Sequence, residues 1–124
     1  MFQLVGQSDE IKWSVKVAFV DGNGKATPKT FIAHFPRLPQ SEIDEIVKRV
    51  RVTEEADSDS VDDKLTDDEL AKKILIGWDE VTDDQGQPVE FSPAMRDKLL
   101  EIFPVRPSVI AAWFESISGQ KRKN

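Results

Sequence analysis

The chain has 124 residues, no cysteine, no tyrosine and a single histidine, His34, a length that suits one compact domain with a radius of gyration of about 14 Å. Disulfide scaffolds, thiolate zinc sites, iron–sulfur clusters and cysteine nucleophiles are excluded, and one imidazole cannot furnish a multi-histidine metal site. Seventeen basic against 23 acidic residues leave a net charge of −6, which opposes general nucleic-acid binding, because that affinity comes largely from Lys and Arg neutralising phosphates.

No run reaches the roughly 18 apolar residues of a membrane span. Met1-Phe2-Gln3-Leu4-Val5 leads into Asp9-Glu10, so neither a span nor a signal peptide is expected and the chain reads as cytoplasmic. From Ile11 to Val20 the large apolar residues Ile11, Trp13, Val15, Val17 and Phe19 alternate with Lys12, Ser14, Lys16 and Ala18, the period of a half-buried strand. Asp21-Gly22-Asn23-Gly24 predicts a turn, and Phe31-Ile32-Ala33-His34-Phe35 a returning strand. Phe2 and Leu4 are candidates for a third strand. Pro36 and Pro39 end this strand-rich part, residues 1–35.

Ser41 predicts an N-cap, with Ile43, Ile46, Val47 and Val50 forming one apolar stripe over a helix at 41–51. Between Thr53 and Leu70 stand nine acidic residues and one lysine, so the acidity of the chain is concentrated there, and 53–65 is expected to be a flexible acidic loop. The helical part, 66–118, opens on Thr66 with Glu69 three residues later, a capping box ahead of Leu70, Ile74, Leu75 and Trp78 at helical spacing. Asp83-Asp84-Gln85-Gly86-Gln87-Pro88 predicts a turn. Ser92-Pro93 opens another helix, whose stripe Met95, Leu99, Leu100 and Phe103 is expected to be buried up to Pro104. A last helix runs from about Pro107 or Ser108 to Ser118 and leaves a basic tail, 119–124. The whole is an α+β arrangement: an N-terminal antiparallel hairpin or small three-stranded sheet followed by about four helices.

Few residue patterns here carry chemistry. The run Asp57 to Asp63 has Val61 and Asp62 where a calcium loop needs a ligand and a glycine. Asp79, Glu80, Asp83 and Asp84 gather around one turn, which supports a third, weaker reading as a small hydrolase, yet their spacing selects neither metal nor acid–base work. His34 has no serine or carboxylate near it in sequence to orient it. No cofactor, metal or catalytic residue is expected. Trp113 and Phe114 are adjacent on a helix and so point about 100° apart, which lets one ring face the core while the other meets a partner; Ile110, Trp113, Phe114 and Ile117 are the candidate contact residues.

The order Ile76-Gly77-Trp78-Asp79-Glu80-Val81, the turn Asp83 to Pro88, Phe91-Ser92, a helix, a proline-bearing break, an aromatic helix and a Lys-Asn ending resembles the tail assembly chaperones of long-tailed bacteriophages, most clearly over residues 76–124. The resemblance implies a non-enzymatic protein that binds the tape measure protein, shields its apolar surface, assists in bringing tail tube protein to it, and is absent from the mature virion. It implies host cytoplasm as the location, self-association as a further option, and neither nucleic acid nor membrane as a partner. The alternative is an acidic nucleic-acid mimic or regulator whose carboxylates, between residues 54 and 69, occupy a basic groove on a host protein.

Overall fold

Two strands, β1 (Glu10–Val20) and β2 (Ala26–Pro36), pair antiparallel along their whole length, from Glu10 opposite Pro36 to Val20 opposite Ala26. They come from a computed structural model that describes residues 9–55 and 66–118. The hairpin closes on Asp21. Its Oδ1 accepts from the N–H groups of Asn23 (2.8 Å) and Lys25 (3.0 Å), and Gly24, at φ 81°, supplies the left-handed backbone that an L side chain resists. The same device recurs at Asp83, whose Oδ1 accepts from Gln85 (2.9 Å) and Gln87 (3.0 Å) with Gly86 at φ 78°. Both turns are those expected from composition.

Helix α1 (Gln40–Glu55) starts where the Pro39 carbonyl accepts from Glu42 and Ile43, one residue before Ser41. It also runs past Arg51, so residues 53–55 belong to the helix rather than to an acidic loop. The remainder of that stretch, 56–65, lies outside the described residues, as do Phe2, Leu4 and the basic tail.

Helix α2 (Asp67–Ile74) carries the full capping box: the Thr66 hydroxyl accepts from the Glu69 N–H, and Glu69 Oε1 accepts from the Thr66 N–H at 3.2 Å. That bond from the Thr66 backbone, with a second from its hydroxyl, holds the Glu69 carboxyl below its usual range. The helix then stops earlier than its apolar spacing suggests. Leu75 is extended, and Gly77–Asp79 form β3, antiparallel to β2, with Trp78 opposite Ala33. Trp78 is therefore a strand residue, and the third strand of the sheet (order β1-β2-β3) comes from the middle of the chain. Gly77 is required there, because a Cβ would meet Nδ1 of His34 at 2.7 Å.

Helix α3 (Pro93–Leu100) is capped by Ser92, whose Oγ accepts from the Met95 N–H. It ends three residues before Phe103, which is 83% exposed rather than buried. Helix α4 (Val105–Ser118) begins ahead of Pro107, whose missing N–H costs nothing in a first turn.

All helices that contribute to the core lie on one face of the sheet. Val15, Val17, Phe31, Ala33 and Phe35 meet Ile46, Leu70, Ala71, Ile74, Leu75, Trp78, Leu100, Val105, Val109, Ala112 and Trp113 in one cluster. Lys12, Ser14, Lys16, Thr30 and Asp79 are exposed on the other face. The arrangement is α+β: among the described residues, a three-stranded antiparallel sheet with four helices. Among the described residues no helix is long and apolar enough to cross a membrane.

Candidate functional site

An open apolar groove of about 340 Å³ lies between the sheet and the α3–α4 corner. Its walls are Val17 and Phe19 near the end of β1, Phe31 of β2, Val81 after β3, Leu99 of α3, Ile102 of the connection and Val105 at the start of α4. The groove exists because β3 is short. Glu80 takes a left-handed backbone at φ 66°, a conformation costing an ordinary residue about 1 kcal/mol or more, and this turns the chain away from the sheet. Among the described residues, β2 from Ala26 to Phe31 then has no strand on that side.

Ile102, on the groove, is 50% exposed; the next residue, Phe103, is 83% exposed and borders a separate depression of about 160 Å³ with Leu100, Glu101, Arg106 and Pro107. The connection that carries them is a pair of tight turns, with Ile102 N–H donating to Leu99 O and Val105 N–H to Ile102 O. Below Phe103, Arg106 bridges Glu101 (3.0 Å) and Asp68 of α2 (3.6 Å), which fixes the corner against α2. Lys29 and Glu80 are the charged groups on the groove itself. With so apolar a lining, the groove suits burial of hydrophobic side chains, the driving force of most protein association.

The residues expected to meet a partner lie elsewhere. Trp113 is 1% exposed and belongs to the core, and its ring meets that of Phe114 edge-on at 5.1 Å. As the 100° offset predicts, the neighbour stays outside: Phe114, with Ile110 and Ile117, is partly buried against the core. Trp113 and Ile117 also border a smaller depression of about 180 Å³ with Ile11, Leu38 and Ile43. Trp113 is thus the one of the four whose surface the core already covers. Ile102 and Phe103, by contrast, were not among the candidates, since their spacing from Leu99 and Leu100 resembles a buried stripe.

His34 acquires the carboxylates that its sequence neighbourhood lacks. It sits opposite Lys12 on β1 and Gly77 on β3, and its Nε2 lies 2.9 Å from Asp79 Oδ2 and its Nδ1 3.4 Å from Glu10 Oε1. A carboxylate only accepts, so Nε2 carries the proton. The bond from His34, helped by Lys12 at 3.8 Å, holds the Asp79 carboxyl below its usual range. Both ring nitrogens face carboxylates, which leaves neither directed at a hydroxyl nucleophile. The other acids of the region do not converge, as Asp83 is used in its own turn. Among the described residues no group of three or more His, Cys, Asp or Glu side chains could hold a metal ion.

A family model described as YdaY prophage protein matches residues 35–116, from the end of β2 through nearly all of α4 and well over half of the chain. No curated protein and no solved structure matches.

Proposed function

The chain belongs to the YdaY prophage protein family, and from that premise we propose that it is a tail assembly chaperone, a non-enzymatic protein of the host cytoplasm that holds the apolar surface of the tape measure protein during tail assembly and assists in bringing tail tube protein to it. The observation that supports this reading is the exposed apolar pair at the α3–α4 corner, Ile102 on the groove and Phe103 on the neighbouring depression. A phenylalanine left 83% exposed directly after the half-exposed Ile102 of the groove is a poor choice for a chain that acts alone, and a natural one for a chain that shields another polypeptide. The net charge of −6 keeps such a surface soluble.

Co-expression with the tape measure protein of the same prophage tests the reading. The wild-type chain is expected to move that protein into the soluble fraction, and Phe103→Asp with Ile102→Asp to lose most of the effect. If the wild-type chain leaves the tape measure protein insoluble, the proposal fails. If rescue instead survives the double change, the α3–α4 corner is not the client surface; removal of residues 54–63 should leave rescue intact, whereas for an acidic mimic it would abolish binding to a basic host protein.

A further inference from the structure

Among the described residues strand β1 is an edge of the sheet, and its hydrogen-bonding polarity is fixed at both ends. Arg37 N–H donates to Asp9 O, Asp21 N–H donates to Lys25 O, and on the far side of β2 the His34 carbonyl accepts from Ile76. Odd-numbered residues of the hairpin therefore bond within it. By the alternation of an antiparallel ladder, the N–H and C=O groups of Lys12, Ser14, Lys16 and Ala18 point outward. Among the described residues no strand pairs with them. This edge is 11 residues long and has no proline; its guards are the charged side chains Glu10, Lys12 and Lys16, which a partner strand must match.

The strand is also complementary to itself. Two copies run antiparallel about Trp13 place Glu10 opposite Lys16, Ile11 opposite Val15, Lys12 opposite Ser14, and Trp13 opposite Trp13. Both ends of the pairing then carry an acid–base pair, and the two Trp13 residues fall at a non-hydrogen-bonded site on the helix-covered face, each indole N–H held by Glu115 Oε1 of its own chain at 3.3 Å. Centring on Ser14 sets Lys12 against Lys16, and centring on Lys16 sets that lysine against itself. Centring on Val15 pairs more residues but sets Glu10 opposite Val20 and Lys16 opposite Ser14, so that no acid–base pair spans the seam. We propose that this protein dimerises through β1, joining two sheets into one about a two-fold axis at Trp13. Val17 and Phe19 lie beyond the paired segment, so both grooves stay open and the dimer presents two of them, which raises avidity for a long client.

Sedimentation equilibrium of the full chain over a micromolar concentration series is the test. A dimer is expected, together with slowed amide exchange at Lys12, Ser14 and Lys16 that appears only at concentrations where the dimer forms. Ser14→Pro removes an outward N–H without touching the hairpin ladder and should give a folded monomer. Should that variant fail to fold, Lys16→Glu carries the same test. It sets like charges against each other twice and should weaken the dimer by about tenfold or more, with Glu10→Lys in the same chain restoring it. A wild-type monomer at every concentration, amides on this edge protected in the monomer, a dimer indifferent to both single variants, or a Lys16→Glu loss that the charge swap leaves unrepaired would each overturn the proposal.

Discussion

Two aromatic side chains stand just beyond the ends of two eight-residue helices, and their environments are opposite. Trp78, after α2, is 7% exposed; Phe103, after α3, is 83% exposed. Both helices are capped by a hydroxyl, Thr66 and Ser92, and both are followed by an apolar run. The difference lies in where the backbone can go next. Past Leu75 the chain is extended and finds the open side of β2: Ile76 N–H donates to His34 O, Trp78 pairs with Ala33, and its indole N–H reaches Val89 O at 2.8 Å. Past Leu100 it finds only its own last turn, so the bonds of Ile102 and Val105 are local and the ring of Phe103 is left outside. An apolar residue beyond a helix end is buried when a ladder receives its backbone. Where none does, it becomes surface available for a partner.

The contrast breaks most severely at the buried ring. Trp78→Ala removes a core side chain packed edge-on against Phe91 at 4.9 Å and should cost about 3–5 kcal/mol in denaturant unfolding. Next comes the glycine that admits β3 beneath the imidazole. Gly77→Ala drives a Cβ to 2.7 Å from His34 Nδ1, an overpacking expected to cost about 1–3 kcal/mol. Because the clash is with one side chain, the same substitution in a His34→Ala background should cost less than half as much, a non-additivity that a double-mutant cycle measures.

The start of α2 sharpens the comparison more gently. Thr66→Ala should cost about 1 kcal/mol, the usual loss for a cap. Its partner Glu69 makes the box pH-dependent. The carboxyl is held below its usual range in the folded chain, so on acidification the unfolded chain takes up the proton first. The contribution is therefore complete at neutral pH and fades as pH falls below the ordinary Glu value of about 4.3, through the lower folded one. Unfolding curves of wild type and Glu69→Gln should differ at neutral pH and converge in acid. A gap that widens in acid would reverse the sign of the argument.

What was legible in the sequence follows from range. The hairpin, both aspartate turns, the capping box and the Ser92-Pro93 start are written in residues at most four apart, and each forms as its pattern dictates. Leu75 to Trp78 is a short apolar run that periodicity alone cannot divide between helix and strand; the vacant side of β2, more than 40 residues earlier, decides it. The same distance hid the pairing of His34 with Asp79. The groove was the least legible feature, since four separated segments build it, and the exposed ring next to it in the chain, Phe103, carries the spacing of a core residue. At Trp113 and Phe114, by contrast, one helix sets both directions, and the division into an inner and an outer ring was readable in advance.

The smallest effect on folding is expected where the comparison began. Phe103→Ala deletes a ring that is 83% exposed and should change stability by no more than about 0.5 kcal/mol, leaving the bonds of Ile102 and Val105 in place. If the exposed α3–α4 corner is the client surface, that same substitution should lower the yield of soluble tape measure protein, and Phe103→Leu, which keeps an apolar side chain, should retain most of it. Trp78→Ala lowers the yield by a different route, through loss of folded chain. Measuring client yield against the fraction folded separates the two: Trp78→Ala should fall on the line set by stability, and Phe103→Ala well below it. Both variants on one line would mean that Phe103 contacts no client and that its exposure is only the geometric residue of a helix that ended with nowhere to send its chain.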